Sequence, residues 1–269
     1  MGRIFTFGCS FTNYEWPTWA DIIIFNNDGY NMGVSGSGNE SMLYRIMEAD
    51  RKFNFTKEDQ IIVMFTTPIR WDLITGDNPI FLGYGQVTNV EEFSKYEGKL
   101  YTIEGLCYKS YYSIIAIKNY LENKNINYLF GSILDIFEDV DNYFKIVDVG
   151  NELRDLMKYI KDEVNFELPN VYDFLKENEI VKNKTWGITK KWDGYNDYHP
   201  RPHQYFKYVK NYISPKLNID LKITIDDINK IENDIDQAVN MKDYLNMFRE
   251  KYPIISDKKL GPEIFYKNI

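Results

Sequence analysis

The hexapeptide Gln60–Phe65 (QIIVMF) constrains the fold of this 269-residue chain more than any other segment. A short, continuous apolar run of this kind is typical of a strand that is buried on both faces of a parallel sheet. Further short strands are predicted at Ile4–Phe7, Tyr30–Val34 and Asn127–Gly131. Helical patterns lie between them, and strands that alternate with helices indicate an α/β fold with helices on both faces of the sheet.

The predicted helices separate these strands and continue after the last one. They are Trp16–Phe25, Glu40–Phe53, Gly105–Asn123, Glu152–Val164, Val171–Asn178 and one from Pro202 to about Lys216. We expect Ser37 or Asn39 to cap the second of them. Right-handed crossovers between neighbouring strands place the second and third strands on either side of the first. The carboxyl ends of the three strands then meet at one crevice, where α/β proteins bind their ligands.

The sequence predicts two parts. Residues 1–216 form the α/β domain, with an insertion at about 73–104 that is rich in Gly, Pro, Asn and Thr. Residues 217–269 form a charge-rich helical C-terminal extension. This extension either docks on the domain as an antiparallel helical pair or joins copies of the chain into a homo-oligomer.

Composition narrows the range of partners. A net charge of −8 without a basic cluster argues against nucleic acid as the main partner. Two cysteines, Cys9 and Cys107, and two histidines, His199 and His203, match no disulfide framework and no zinc-site spacing, so we expect no structural metal. No signal peptide or membrane-spanning segment is predicted. We therefore expect a cytoplasmic protein without a membrane partner, or alternatively a virion-associated one.

A candidate nucleophile follows the first strand. The strand ends at Gly8, and Ser10 comes two residues later, as expected where a buried strand delivers a hydroxyl to the edge of a sheet. The alternative is an ordinary Gly-Ser turn. A nucleophilic serine needs a base, and the base needs a group that fixes its tautomer. His199 is favoured over His203 because Asp197 is two residues away; the alternative is that His199 is a structural or surface residue.

Four short blocks carry a resemblance to a known family. FGCSFT, NMGVSGSGNES, TTPIR and DYHP occur in this order between residues 1 and 217. The ordered set resembles the SGNH hydrolases, also called GDSL esterases, and in particular their divergent phage and bacterial members. The resemblance implies a three-layer, flavodoxin-like parallel sheet. It also implies a serine-histidine-acid triad that works without a cofactor.

The resemblance assigns the triad residue by residue. It implies that Ser10 is the nucleophile and His199 the general base. In the family, the acid lies three residues before the histidine, where this chain has Asn196. We favour Asp197 as the acid and keep Asp193, six residues before the histidine, as the alternative.

The oxyanion hole departs from the family pattern in one place. The resemblance implies that the backbone N–H groups of Ser10 and of a glycine in the second block are donors. The third block normally adds an asparagine side chain, and here threonines occupy that position, so a threonine hydroxyl or an arginine would have to replace it. The candidates for stabilising the oxyanion or positioning the substrate are Gly36, Asn39, Thr66, Thr67 and Arg70.

Three functions are compatible with these residues. The first is a serine esterase or deacylase that hydrolyses O-acetyl or other short-acyl esters on a carbohydrate or a small alcohol. The second is a glycan- or partner-binding module on an SGNH scaffold that has lost catalysis, which the missing asparagine favours. The third is an acyltransferase that uses the same triad.

Overall fold

The computed structural model describes residues 2–25, 27–75, 80–86, 101–144, 150–177, 190–192 and 195–251. Eight strands lie within these ranges: β1 Ile4–Phe7, β2 Gly29–Asn31, β3 Gln60–Phe65, β4 Arg70–Thr75, β5 Ile80–Gln86, β6 Asn127–Ser132, β7 Lys190–Trp192 and β8 Tyr195–Asp197. Four of them form a parallel sheet in the order β2-β1-β3-β6. The other four form two antiparallel hairpins, β4-β5 and β7-β8.

Helices connect and follow the strands. They are α1 Trp19–Ile24, α2 Asn39–Phe53, α3 Ile103–Asn123, α4 Ile136–Phe144, α5 Asn151–Glu163, α6 Val171–Glu177, α7 Pro202–Tyr208, α8 Ser214–Leu217, α9 Ile225–Gln237 and α10 Met241–Lys251. One turn of π-helix, Val209–Ile213, joins α7 to α8. None of the described helices is long and apolar enough to cross a membrane.

The parallel sheet is the middle of three layers. Because successive side chains of a strand point to opposite faces, Phe5 and Val63 belong to one buried cluster, which includes side chains of α2 and α3. Ile4 and Ile62 belong to a second cluster, with side chains of α1 and α7. Each fully buried side chain of this size contributes roughly 1.5–3 kcal/mol to stability. The predicted α/β fold with helices on both faces of a parallel sheet is confirmed, as is the position of β1 between β2 and β3.

The described part of the C-terminal extension shares the second cluster. Ile228, Ile231 and Ile235 of α9 are buried there together with Tyr244 and Phe248 of α10. The two helices therefore pack against the α/β core. The division of the chain at residue 217 and a homo-oligomer formed through these helices stay predictions.

Two segments expected to be irregular are strands. Within the predicted insertion at 73–104, residues 73–75 and 80–86 pair in the β4-β5 hairpin, with Leu73 opposite Leu82. The Gly, Asp, Asn and Pro residues of this region are typical of loops, so the short strands beside them were not predicted. Residues 76–79 and 87–100 lie outside the described ranges. The segment before α7, where no strand is predicted from the sequence, contains the β7-β8 hairpin, which ends at Asp197.

The cap of α2 comes from a distant strand. The N-cap residue is Gly38, not Ser37 or Asn39 as expected from the sequence. The carboxylate of Asp72 in β4 accepts the N–H groups of Gly38 and Ser41, at 2.7 and 3.0 Å. Burial raises the pKa of Asp72, and these two hydrogen bonds oppose that rise. A contact between residues more than thirty positions apart replaces the local cap.

Candidate active site

Ser10 lies in a tight turn at the carboxyl end of β1. The N–H groups of Thr12 and Asn13 both donate to the carbonyl of Cys9, at 2.9 and 3.1 Å, so the chain coils immediately after the strand. A Cβ atom on Gly8 would lie 1.9 Å from the Thr12 hydroxyl, and only glycine fits there. The turn leaves Ser10 with 7% of its surface exposed, at the edge of the sheet.

The structure brings Ser10, His199 and Asp197 into one hydrogen-bonded chain. Ser10 Oγ lies 2.9 Å from His199 Nε2, and His199 Nδ1 lies 3.0 Å from Asp197 Oδ1. With the imidazole proton on Nδ1 and donated to Asp197, Nε2 is the acceptor for the serine hydroxyl. This is the arrangement of nucleophile, base and orienting acid that activates a serine.

The two-residue spacing between acid and base has a local explanation. Asp197 Oδ1 accepts the backbone N–H of His199 at 3.0 Å as well as its ring N–H. An aspartate that accepts the backbone N–H two residues later forms an Asx turn. The turn orients the imidazole toward its own acid, so a separation of two residues is sufficient here.

Asp197 is an ionised acid in a buried place. Only 2% of the residue is exposed, and burial alone would raise the pKa of its carboxyl group. Hydrogen bonds from the His199 ring, the Tyr14 hydroxyl and the His199 backbone outweigh burial, so the pKa of Asp197 lies below its usual range. The carboxylate can therefore stabilise an imidazolium at neutral pH.

Three aromatic residues next to Ser10 in the sequence support the histidine. Tyr14 donates its hydroxyl to Asp197 Oδ2, and its ring stacks on the His199 ring with centroids 3.6 Å apart. The Phe11 ring lies 5.0 Å from the same imidazole. Trp16 donates its indole N–H to the carbonyl of Pro200 at 2.8 Å. The sequence pattern assigned no role to these three residues, although they lie within six positions of Ser10.

The loop that contains Gly36 is attached to the serine turn. Gly8 accepts hydrogen bonds from the Val34 N–H at 3.0 Å and the Ser37 hydroxyl at 3.2 Å. Gly36 has a φ of 77°, a conformation that favours glycine. Among the residues that the structure describes, the N–H groups of Ser10 and Gly36 have no acceptor. An oxyanion hole formed by these two N–H groups stays a prediction.

A buried arginine binds both the turn after β1 and the loop that contains Gly36. Arg45 of α2 donates to the carbonyls of Met32 and Gly8 and, at 3.0 Å, to the hydroxyl of Ser37. It therefore links the end of β1, the end of β2 and the Gly36 loop. Nothing in the sequence pattern distinguished this arginine from a solvated helix residue.

Asn39 supports the scaffold and does not face a ligand with a free amide hydrogen. Its amide donates to the Thr66 carbonyl at 2.9 Å and to the Ser110 hydroxyl at 2.7 Å, and its carbonyl oxygen accepts the Thr66 N–H. These bonds fix the end of β3, and a role of Asn39 in positioning the substrate stays a prediction. Thr66 and Thr67 are both buried at that strand end.

Arg70 is a second arginine that binds the Gly36 loop. Its Nη1 donates to the Ser37 carbonyl at 3.0 Å. The alternative acid, Asp193, lies outside the described residues. His203 is bound elsewhere, with Nδ1 2.8 Å from Glu232, so it is not part of the serine-histidine pair. Within the described ranges, no group of three or more His, Cys, Asp or Glu side chains could hold a metal ion.

Helix α9 braces both sides of the segment that carries Asp197 and His199. Glu232 accepts hydrogen bonds from Arg201 at 2.8 Å and from the backbone and ring of His203, each at 2.8 Å. Asp236 binds Arg201 through its carboxylate and Lys190 through its carbonyl. Lys190 is paired in register with Asp197 across the β7-β8 hairpin. The extension thus contacts residues that flank the candidate acid and base.

Comparison with solved structures found a similar fold. A GDSL-like lipase from Bacteroides thetaiotaomicron superposes with a TM-score of 0.43 and 14% sequence identity, over 80% of this chain and 87% of that chain. At this TM-score, the similarity adds nothing to the functional argument. A scan against models of known protein families found no match, and neither did a search of curated protein sequences.

Removing the Glu232 carboxylate tests whether the contacts between α9 and the residues around His199 stabilise the protein. We expect Glu232→Ala to lower the free energy of unfolding by about 1–3 kcal/mol, because the buried guanidinium of Arg201 loses one of its carboxylate partners. Asn229→Ala, an exposed position on the same helix, is the control and should change it by less than about 0.5 kcal/mol. Urea unfolding at pH 7 measures both. Equal, small losses of unfolding free energy in the two variants would show that these contacts of α9 do not stabilise the protein.

Proposed function

We propose that the protein is a serine hydrolase of carboxylic esters, with Ser10 as nucleophile, His199 as general base and Asp197 as acid. The observation that supports this best is the continuous chain from Ser10 Oγ through both ring nitrogens of His199 to Asp197 Oδ1, with links of 2.9 and 3.0 Å. A serine hydroxyl within reach of an oriented imidazole is the requirement for forming an acyl-enzyme.

The reaction follows from the roles of these groups. Ser10 Oγ attacks the carbonyl carbon of the ester while His199 Nε2 takes the hydroxyl proton, and Asp197 stabilises the imidazolium. When the tetrahedral intermediate collapses, the C–O bond of the ester breaks, and His199 returns the proton to the leaving alcohol. Water then attacks the acyl-enzyme while His199 accepts one of its protons. The bond between the acyl carbon and Ser10 Oγ breaks, His199 returns the proton to Oγ, and the carboxylic acid is released.

Backbone N–H groups supply the oxyanion hole in this proposal. Those of Ser10 and Gly36 have no acceptor among the described residues, and the Gly36 loop is bound to the carbonyl of Gly8. Fixed donors of this kind stabilise the charge that develops on the carbonyl oxygen. We assign Arg70 as the candidate for the third donor, since its bond to Ser37 places it on the Gly36 loop.

The substrate class follows from the resemblance between the four sequence blocks and the SGNH hydrolases. We propose O-acetyl and other short-acyl esters of a carbohydrate or a small alcohol. An acyltransferase would share every step up to the acyl-enzyme and would use an alcohol in place of water. Adding a sugar alcohol to the assay separates the two, because a transferase would form the new ester at the expense of free acid.

The competing function is a binding module that has lost catalysis. It is favoured by the buried threonines, Thr66 and Thr67, at the strand end where the resembling family has an asparagine donor. Losing one oxyanion donor costs about 2.7–4 kcal/mol of transition-state stabilisation, which slows an enzyme without abolishing its activity.

Hydrolysis of p-nitrophenyl acetate tests the nucleophile. We expect Ser10→Ala to lower kcat/KM by at least about a thousandfold, because the covalent route is lost. Ser113→Ala is the matched control, since its hydroxyl donates to the Lys109 carbonyl within α3, away from the candidate site, and it should keep the wild-type rate. Equal rates in wild type and Ser10→Ala would reject the esterase and leave the binding module.

The acid is tested by two substitutions that keep the size of the side chain. Asp197→Asn should lower kcat by up to about ten-thousandfold, because the amide no longer holds the imidazole in the required tautomer. Asp193→Asn should change kcat by less than about threefold. Measured under the same conditions, equal and mild losses in both variants would show that the acid is assigned wrongly.

A further inference from the structure

We infer that Tyr14 is a positioning residue that holds the acid and the base of the triad together and stabilises the imidazolium. The inference rests on the proposed function. It goes beyond the triad because neither the sequence blocks nor the serine-histidine-acid pattern assigns a role to this tyrosine. Tyr14 contacts both partners at once: its hydroxyl donates to Asp197 Oδ2, and its ring lies against the ring of His199.

The hydroxyl completes the set of hydrogen bonds around the carboxylate. Asp197 Oδ1 is occupied by the ring and backbone N–H groups of His199, each at 3.0 Å. Tyr14 binds the other oxygen, Oδ2. With both oxygens held, the carboxylate cannot rotate away from Nδ1. A fixed acid keeps the imidazole oriented for Ser10, which is worth more than the strength of the added bond alone.

The ring acts on the charge that forms during the reaction. The centroids of the Tyr14 and His199 rings are 3.6 Å apart, and the ring planes are inclined by 19°. The face of an aromatic ring attracts a cation placed over it. His199 becomes a cation when it takes the proton from Ser10. This contact is therefore stronger in the transition state than in the resting enzyme, which is the condition for raising kcat.

Tyr14 is itself held in place. Its ring meets the buried ring of Trp16 edge to face, with centroids 4.9 Å apart, and Trp16 is bound to the carbonyl of Pro200. The seven residues from Ser10 to Trp16 thus carry the nucleophile, the support of the acid and base, and an anchor for the residue after His199. One short segment organises a triad whose base lies 189 positions after the nucleophile.

Two substitutions separate the hydroxyl from the ring, with p-nitrophenyl acetate as the probe. Tyr14→Phe keeps the stacked ring and should lower kcat on the order of tenfold, with KM little changed. Tyr14→Leu removes both contacts and should lower kcat on the order of a hundredfold. The control is Tyr120→Phe, which removes another tyrosine-aspartate hydrogen bond, to Asp50 at the C-terminal end of α2. It should leave kcat unchanged.

A pH profile distinguishes positioning from mere packing. Burial raises the pKa of Asp197, and the hydrogen bonds from His199 and Tyr14 lower it further than burial raises it. Among the described residues, the titratable groups nearby include Tyr205, whose pKa is raised by burial and by the charge of Asp197, and Lys190, the neighbour of Asp197 across the hairpin. Without the Tyr14 hydroxyl, Asp197 takes up its proton at a higher pH. The low-pH end of the acidic limb of kcat/KM, where Asp197 is protonated, should therefore move to higher pH in Tyr14→Phe, and that of Tyr120→Phe should not.

The outcomes are distinct. If Tyr14→Phe keeps both the wild-type kcat and the wild-type acidic limb while Ser10→Ala is inactive, the role of Tyr14 is overturned and the hydrolase stands. If Ser10→Ala is as active as wild type, the proposed function fails and this inference fails with it. Tyr14→Phe is nearly isosteric, so the inference can be rejected even where Tyr14→Leu does not fold.

Discussion

The hydrogen bond between Ser10 and His199 joins residues that are 189 positions apart, and the site depends on it. A contact of 2.9 Å between such distant residues persists only if both backbones are fixed independently. On the serine side, the parallel sheet fixes β1, and Gly8 allows the tight turn after it. On the histidine side, the β7-β8 hairpin and the Asx turn at Asp197 fix the imidazole.

Hydrogen bonds to a few buried groups connect these two sides to the core. Arg45 binds the carbonyl of Gly8 from α2, so the serine turn and the Gly36 loop share one support. Glu232 binds the residues after His199 from α9. The sequence indicated no role in the candidate site for the C-terminal extension. The extension contributes to the geometry of this site through Arg201 and His203.

The sequence predicted the strands of the parallel sheet and the candidate triad, and it missed most of the side chains that support the triad. The strand before Gly8, the two histidines and the four sequence blocks together pointed to Ser10 and His199, and the structure brings these residues together with Asp197. The Asp72 cap, Arg45 and Glu232 could not be predicted, since each acts on a residue distant in sequence. Tyr14 was within reach of the serine block, but an aromatic residue there reads as core. Asn39 was selected from the sequence as a residue that contacts the substrate, whereas in the structure its amide donates to Thr66 and Ser110.

Covalent capture of the nucleophile tests the account most directly. The intact protein is treated with diisopropyl fluorophosphate at neutral pH, and the adduct is mapped by peptide mass spectrometry. We expect one adduct per chain, on Ser10, that forms in the wild type and is nearly absent in His199→Ala. The hydroxyl is activated by the imidazole whose Nε2 lies within hydrogen-bond distance of Ser10 Oγ. An unmodified Ser10 in the wild type, or equal labelling in both proteins, would contradict it.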